Sequence, residues 1–382
     1  MSLLYYLLAT LLYILALPVF VYLRFKPKYK DSIPARFFLK DNASFTKEGI
    51  WFHACSLGEV RSLKPFIESL PNVDVNISVI TQTGFREALQ YQSADIRYLP
   101  FEIFLPFWIT KQKTLVVLEA ELWPMLFWVA KRRGMKTILL NARISDRSYR
   151  SYLRFTFIYR WIFSSIDVVF AQSSLDQQRL EKLGAKHVRV GGNIKTFQHY
   201  EVTNVYQKPA DKRIVLLAST HEKEEELILS CIELLPNDQL IVVPRHPERF
   251  DKVDFLLRAY AKTQELSYER LSQNNQLSSS VILCDKMGEL INLYAIADIV
   301  ILGGSFVQGV GGHNPLEPAF FKTKLISGEY TFNQNVLFSL VENSVTCNAQ
   351  TLKEVFKNTE ALLPSAIAHS GDMKPLLKEI IG

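Results

Sequence analysis

The chain has 382 residues, enough for two domains, with 48% hydrophobic and 21% charged content. Its four cysteines, Cys55, Cys231, Cys284 and Cys347, have neither metal-site spacing nor the density of a disulfide framework, so they read as reduced thiols of an intracellular body. A net charge of +6 calls for an anionic partner, yet zinc-finger spacing, RNP signatures and basic-region heptads are all missing from the sequence. Nucleic acid is therefore not expected, and a membrane surface is.

Residues 3–23 form an uncharged apolar run, close to the ~20 residues that cross a bilayer as a helix. Arg24, Lys26, Lys28 and Lys30 follow at once, while Met1-Ser2 ahead of the run carries no basic side chain. This argues against a cleaved signal peptide and places the basic flank on the cytoplasmic side. Residues 1–23 are expected to be an anchor that either crosses the membrane or lies on it, since Pro18 and the interleaved tyrosines suit an interface.

From Gly49 onward, β-rich apolar runs alternate with helical patterns. Strands are expected at 50–54, 76–81, 115–119, 136–140 and 167–171, then, after a polar stretch at 202–212, at 213–218, 240–244, 281–284, 298–302 and 323–326. Continuous apolar strands alternating with helices imply parallel sheets covered on both faces. The expected fold is α/β, with two Rossmann-like doubly wound domains facing across a cleft at 24–205 and 206–365. Residues 366–382 are expected to hold a C-terminal helix that packs back on the N-terminal domain. In such sheets ligands collect beyond the carboxyl ends of the strands.

Polar groups recur at those ends. His53-Ala-Cys-Ser-Leu-Gly-Glu59 places Glu59 three residues after Ser56, the spacing of a capping box; Gly58 leaves room for something to approach the acid. Glu119 and Glu121, two apart at a strand end, are expected to share a face, as acid/base groups or as scaffold carboxylates. Arg147, Arg150 and Arg154 fall on one helical face among aromatic residues, suited to anionic lipid or to plain solvation. Lys195 follows Gly191-Gly-Asn193 at the end of the last strand of this half and could supply a cation.

In the second half, Ser219 and Glu222 again have capping-box spacing, with Thr220 between them. Arg245 and His246 end a strand, and Met287, Gly288 and Glu289 form a turn where backbone could meet a ligand. The glycine-rich stretch 303–317 includes Gly311, Gly312, His313, Asn314 and Glu317. Asn314 is expected to cap a helix starting at Pro315, with Glu317 at the capping-box position and free N–H groups forming an anion site. No GxxxxGK[ST] loop is present, which disfavours ATP or GTP phosphoryl transfer. No metal-ligand cluster is visible.

In order along the chain, HACSLGEV, EAELWP, NARISDRSYRSY, GGNIK, ASTHEKEEE, VPRHPERF, DKMGEL and GGHNPLEPA together resemble the 3-deoxy-D-manno-octulosonic acid (Kdo) transferases. The resemblance implies a GT-B fold, with the acceptor site in the N-terminal domain and the CMP-sugar site in the C-terminal one. It implies inverting transfer of Kdo from CMP-Kdo to a lipid A precursor at the inner face of the bacterial inner membrane, with no cofactor. Glu59 would be the general base, and Lys195 matches the lysine after the GN pair. Arg245, Met287, Gly288, Asn314 and Glu317 would line CMP and its ribose. Two alternatives stand beside this reading: a GT-B transferase using a UDP-sugar, and a non-catalytic binder of anionic lipid.

Overall fold

The computed structural model describes residues 1–70, 72–274, 276–368 and 371–382. It divides into two compact units, Met1–Gln198 with Ser370–Gly382, and His199–His369. The expected boundary at 205/206 thus lies inside the second unit. Residues 369 and 370, within the expected C-terminal segment 366–382, are outside the described residues.

The first unit is built on seven parallel strands: β1 (Ile50–Ala54), β2 (Val75–Val79), β3 (Ala94–Tyr98), β4 (Thr114–Leu118), β5 (Lys136–Ala142), β6 (Val168–Ala171) and β7 (Val188–Val190). Their order is β3-β2-β1-β4-β5-β6-β7. β1, β2 and β4 are buried at every residue, as strands covered by helices on both faces must be. Buried polar groups in this sheet are paired: Trp51 Nε1 donates to Ser78 Oγ at 2.8 Å, and His53 Nδ1 lies 2.8 Å from the same hydroxyl. Burial lowers His53 to about 3, so it is neutral at pH 7.

The second unit repeats the plan with β8 (Arg213–Thr220), β9 (Asp238–Pro244), β10 (Tyr268–Arg270), β11 (Val281–Leu283), β12 (Ile299–Leu302) and β13 (Lys324–Ser327). β14 (Val341–Glu342) and β16 (Ala366–Ile367) form a short antiparallel ladder, and β15 (Val345–Thr346) completes the main sheet. The main order is β10-β11-β9-β8-β12-β13-β15. In both units the strand order reverses at a central pair, β1/β4 and β8/β12, which are the topological switch points where such folds bind ligands.

The C-terminal helix Met373–Ile381 belongs to the first unit. Leu376 and Ile380 join its core cluster, and Glu379 pairs with Lys136 and Arg189. The N-terminal helix Ser2–Leu23 packs on the same unit through Tyr5 and Tyr6.

Candidate active site

At the first switch point the chain leaves β1 at Ala54, and Ser56 in extended conformation caps the helix Leu57–Ser62. Ser56 Oγ accepts from Glu59 N at 3.3 Å and donates to Glu59 Oε1 at 2.7 Å. Glu59 Oε2 accepts from Cys55 N at 2.8 Å, so the back-bond of the box falls one residue earlier than the usual pattern. Glu59 is buried. Burial raises its pKa, bonds from Cys55 and Ser56 pull part of that back, and Glu119 and Glu121 push it up again. A carboxylate has about four acceptor positions, so two hydrogen bonds leave capacity to take a proton. A Cβ at Gly58 would meet nothing within 4 Å, so packing does not demand glycine there.

The expectation that Glu119 and Glu121 share a strand face is corrected here. β4 ends at Leu118, and Glu119 takes φ 57°, a left-handed conformation uncommon for a side-chain-bearing residue and concentrated at functional sites. Off the strand, alternation no longer applies. Glu119 Oε1 pairs with Lys195 Nζ at 2.9 Å, whereas Glu121 Oε2 accepts from Trp123 Nε1 at 3.0 Å. Lys195 is therefore brought to the carboxylates from the far end of the unit's sequence.

Two residues were not singled out from the sequence. Asn141, at φ 61° near the end of β5, accepts from Ile194 N at 3.1 Å and so ties the segment carrying Lys195 to the sheet; its Nδ2 is buried without a partner among the described residues. Arg36, on the helix Ser32–Phe38, donates from Nε to Leu99 O at 2.9 Å. Burial lowers Arg36 to about 10 while Cys55 and Glu121 act in the opposite sense, so a cation lies in the electrostatic range of the acid cluster. Arg147, Arg150 and Arg154 are elsewhere in character: the helix Asp146–Arg154 has no buried residue, and all three arginines are exposed without an ion pair among the described residues.

At the second switch point, Gly303 permits β12 to approach the end of β8, since a Cβ there would come within 2.7 Å of Ser219 O. Gly304 at φ 71° lies against the His313 ring. In the first part of the glycine-rich loop the backbone N–H groups are taken by a buried carboxylate. Buried Glu224 accepts from Gly304 N (2.7 Å), Ser305 N (3.0 Å) and Phe306 N (2.9 Å), and also from His221 N (2.8 Å). The expected Ser219–Glu222 capping box does not form. Ser219 is a φ 55° residue inside β8, the helix is Glu224–Cys231 with Lys223 as N-cap, and Glu222 pairs with Lys252. Buried Thr220 donates to Glu225 at 2.7 Å, and Glu225 holds Arg249 through two 2.8 Å bonds.

The helix expected at Pro315 begins one residue later, Leu316–Phe320, with Pro315 as N-cap. Asn314 still accepts from Leu316 N at 3.0 Å, and its Nδ2 donates to Glu317 at 3.2 Å. Met287 is exposed, Gly288 (φ 87°) has open space where a Cβ would be, and Glu289 accepts from Tyr206 OH and Asn292 Nδ2. Gly311 and Gly312 also have positive φ.

Around Gly304 stand three histidines. His221 Nε2 and His313 Nε2 are 2.9 Å apart, and His246 packs edge-on to His221 at 5.2 Å. One nitrogen of the close pair must carry a proton and the other a lone pair, so the pair holds at most one positive charge comfortably. Burial lowers both rings, His313 to about 4, and the neighbouring cation Arg245 adds to the effect. Arg245 itself is exposed and unpaired among the described residues. His221 was missed as a site residue because its motif read as a cap.

Three carboxylates and a lysine at one switch point, and histidines with an unpaired arginine at the other, define two polar centres at strand ends. Residues 31–198 match the family described as 3-deoxy-D-manno-octulosonic-acid transferase (kdotransferase). The chain is 34% identical over 371 residues to the 3-deoxy-D-manno-octulosonic acid transferase of Haemophilus influenzae, covering 89% of this chain and 85% of that protein. The chain belongs to the Kdo transferase family. It is also 32% identical over 342 residues to a bifunctional glycosyltransferase/methyltransferase of Fusobacterium nucleatum, 83% of this chain, but spans only 53% of that protein's length. Among solved structures, the UDP-GlcNAc 2-epimerase of Neisseria meningitidis bound to UDP-GlcNAc aligns with a TM-score of 0.52 at 12% identity, over 81% of this chain and 91% of that one. At that identity the likeness concerns the fold alone, that of two Rossmann-like domains of GT-B type.

Proposed function

We propose that this Kdo transferase family member moves Kdo from CMP-Kdo to a lipid A precursor in lipopolysaccharide synthesis, with inversion at the anomeric carbon. It works at the cytoplasmic face of the bacterial inner membrane, held there by the helix Ser2–Leu23. Family membership supports the reaction class. The observation that carries the mechanism is Glu59, a buried carboxylate with a raised pKa next to a second acid already neutralised by Lys195.

On this reading the acceptor hydroxyl attacks the anomeric carbon, the bond from that carbon to the CMP phosphate breaks, and Glu59 receives the hydroxyl proton. The Lys195–Glu119 pair keeps one neighbouring negative charge compensated, so Glu59 can ionise. Arg245 of the second unit supplies positive charge and the neighbouring histidines N–H donors to the departing phosphate, and no metal or other cofactor is invoked. The test is incubation of the full-length chain with CMP-Kdo and tetraacylated lipid A precursor, read by product mass. A mass increase of one or more Kdo units is expected. No product with CMP-Kdo, together with stronger thermal stabilisation by UDP than by CMP, would replace this reading with a UDP-sugar transferase.

A further inference from the structure

We infer that the helix Ser2–Leu23 lies along the membrane surface, with one face docked on its own domain and the other in lipid, and does not cross the bilayer. The inference rests on the membrane reading above and adds an orientation to it. The helix is divided lengthwise. Ser2, Tyr5, Tyr6, Ala9, Thr10, Tyr13, Ala16, Leu17 and Phe20 are partly or fully covered, at helical i, i+3, i+4 spacing, while Leu3, Leu4, Leu7, Leu8, Leu11, Leu12, Leu15 and Val19 are exposed.

The covered face is tied to the domain along its length. Trp161 Nε1 donates to Ser2 Oγ at 3.3 Å, Tyr5 donates to Glu102, Tyr6 OH to Ile103 O at 3.0 Å, and Tyr13 OH to Phe37 O at 2.6 Å. Tyr13 also packs on Phe101 and Phe104, and the Phe20 and Phe37 rings lie 3.9 Å apart. From Tyr5 to Phe20 the docked length is ~22 Å at 1.5 Å per residue, against a hydrocarbon core of about 30 Å. A spanning helix would have to drag residues 101–104 and Phe37, with the Glu102 carboxylate, to membrane depth, or else undock and leave their partners unpaired. Polar groups in hydrocarbon cost several kcal/mol each. Lying flat requires neither.

Charge placement agrees. An interfacial helix ordinarily carries a charged face towards water; here that face is replaced by the domain, whose acceptors take the tyrosine hydroxyls. Cations follow its C-terminal end: Arg24, Lys26, Lys28 and Lys30. The occupant of the exposed leucine face is therefore a bilayer with anionic headgroups.

The test uses the full-length chain in native membranes with a short protease-sensitive epitope ahead of Met1. Flat docking predicts epitope cleavage in inverted vesicles and protection in intact spheroplasts. Cleavage in spheroplasts would overturn the orientation while leaving the transferase reading intact. A second arm pairs Tyr13→Cys with Phe101→Cys and a short bis-maleimide: cross-linking in membranes is expected, and its absence would remove the docking on which the inference stands. Recovery of the chain wholly in the soluble fraction, with normal Kdo transfer, would sink the membrane reading and the orientation together.

Discussion

Lys195 Nζ lies 2.9 Å from Glu119 Oε1, joining the end of the first unit's sheet region to the turn after β4. Both side chains are about one-third exposed, so the pair itself contributes only roughly 0–1 kcal/mol to stability. Its effect is on Glu59, whose pKa Glu119 raises. Lys195→Met leaves Glu119 uncompensated, so the acid limb of the rate–pH profile should move to higher pH. Glu119→Gln removes the repulsion, and the limb should move lower. Shifts of the same sign in the two variants would break the electrostatic link between this pair and Glu59.

Glu59→Gln separates a cap from a base. An amide oxygen still accepts a hydrogen bond, and losing a cap altogether costs about 1 kcal/mol. The raised carboxyl pKa means that the folded chain binds more protons than the unfolded chain between the unfolded value of about 4.3 and the higher folded value. Ionised Glu59 therefore works against stability above that window, so Glu59→Gln should melt near the wild-type temperature at neutral pH. Single-turnover transfer should nevertheless fall roughly 10²–10⁴-fold. Near-normal turnover would take Glu59 out of the chemistry.

Much of this was legible in the sequence, for physical reasons that also mark the limits. The central strands could be read because burial on both faces favours apolar residues, as in LVVL of β4 and IVIL of β12. The edge strands β3 and β10 carry ADIRY and YER, whose sequences answer to partial exposure, and they were not anticipated. Glu59 was readable because its motif is local. The Lys195–Glu119 pair spans 76 positions and the Glu224 nest 80 to 82, and no local spacing encodes such partners. Alternation misled at Glu119 and Glu121 because the strand had already ended.

Glu224 should be a structural requirement of the glycine-rich loop. Its side chain is fully buried and satisfies the N–H groups of Gly304, Ser305 and Phe306. A buried donor left unpaired costs about 1–3 kcal/mol. Glu224→Ala should therefore cost roughly 3 kcal/mol or more, seen as a clear fall in melting temperature, and should abolish CMP-induced stabilisation. Glu224→Gln keeps one acceptor and should fall between. If Glu224→Ala melts like the wild type, the nest is not what holds this loop.

The histidine pair gives a pH dependence of defined sign. Burial holds His313 at about 4, below its unfolded value of about 6.5. Between those values the unfolded chain binds more protons, so stability rises with pH across the window and is lost as pH falls. His313→Gln should remove part of that acid slope, measured as the difference between variant and wild-type melting temperatures from pH 7 down to pH 4.5. His53 titrates in the same sense but is common to both chains and cancels. The groups around the pair are His246, Arg245, Arg249 and Glu225; Glu225 pairs with Arg249, which leaves Arg245 as the uncompensated cation, and a bound phosphodiester would offset it and favour an imidazolium. Cytidine 5′-methylphosphate, which has no phosphate group titrating near neutrality, should therefore bind with proton uptake, seen as a buffer-dependent heat in calorimetry at pH 7. His221→Gln should lower that uptake. Binding without any proton uptake would show that the pair stays neutral beside the phosphate, whereas no binding at all would count against the donor site itself.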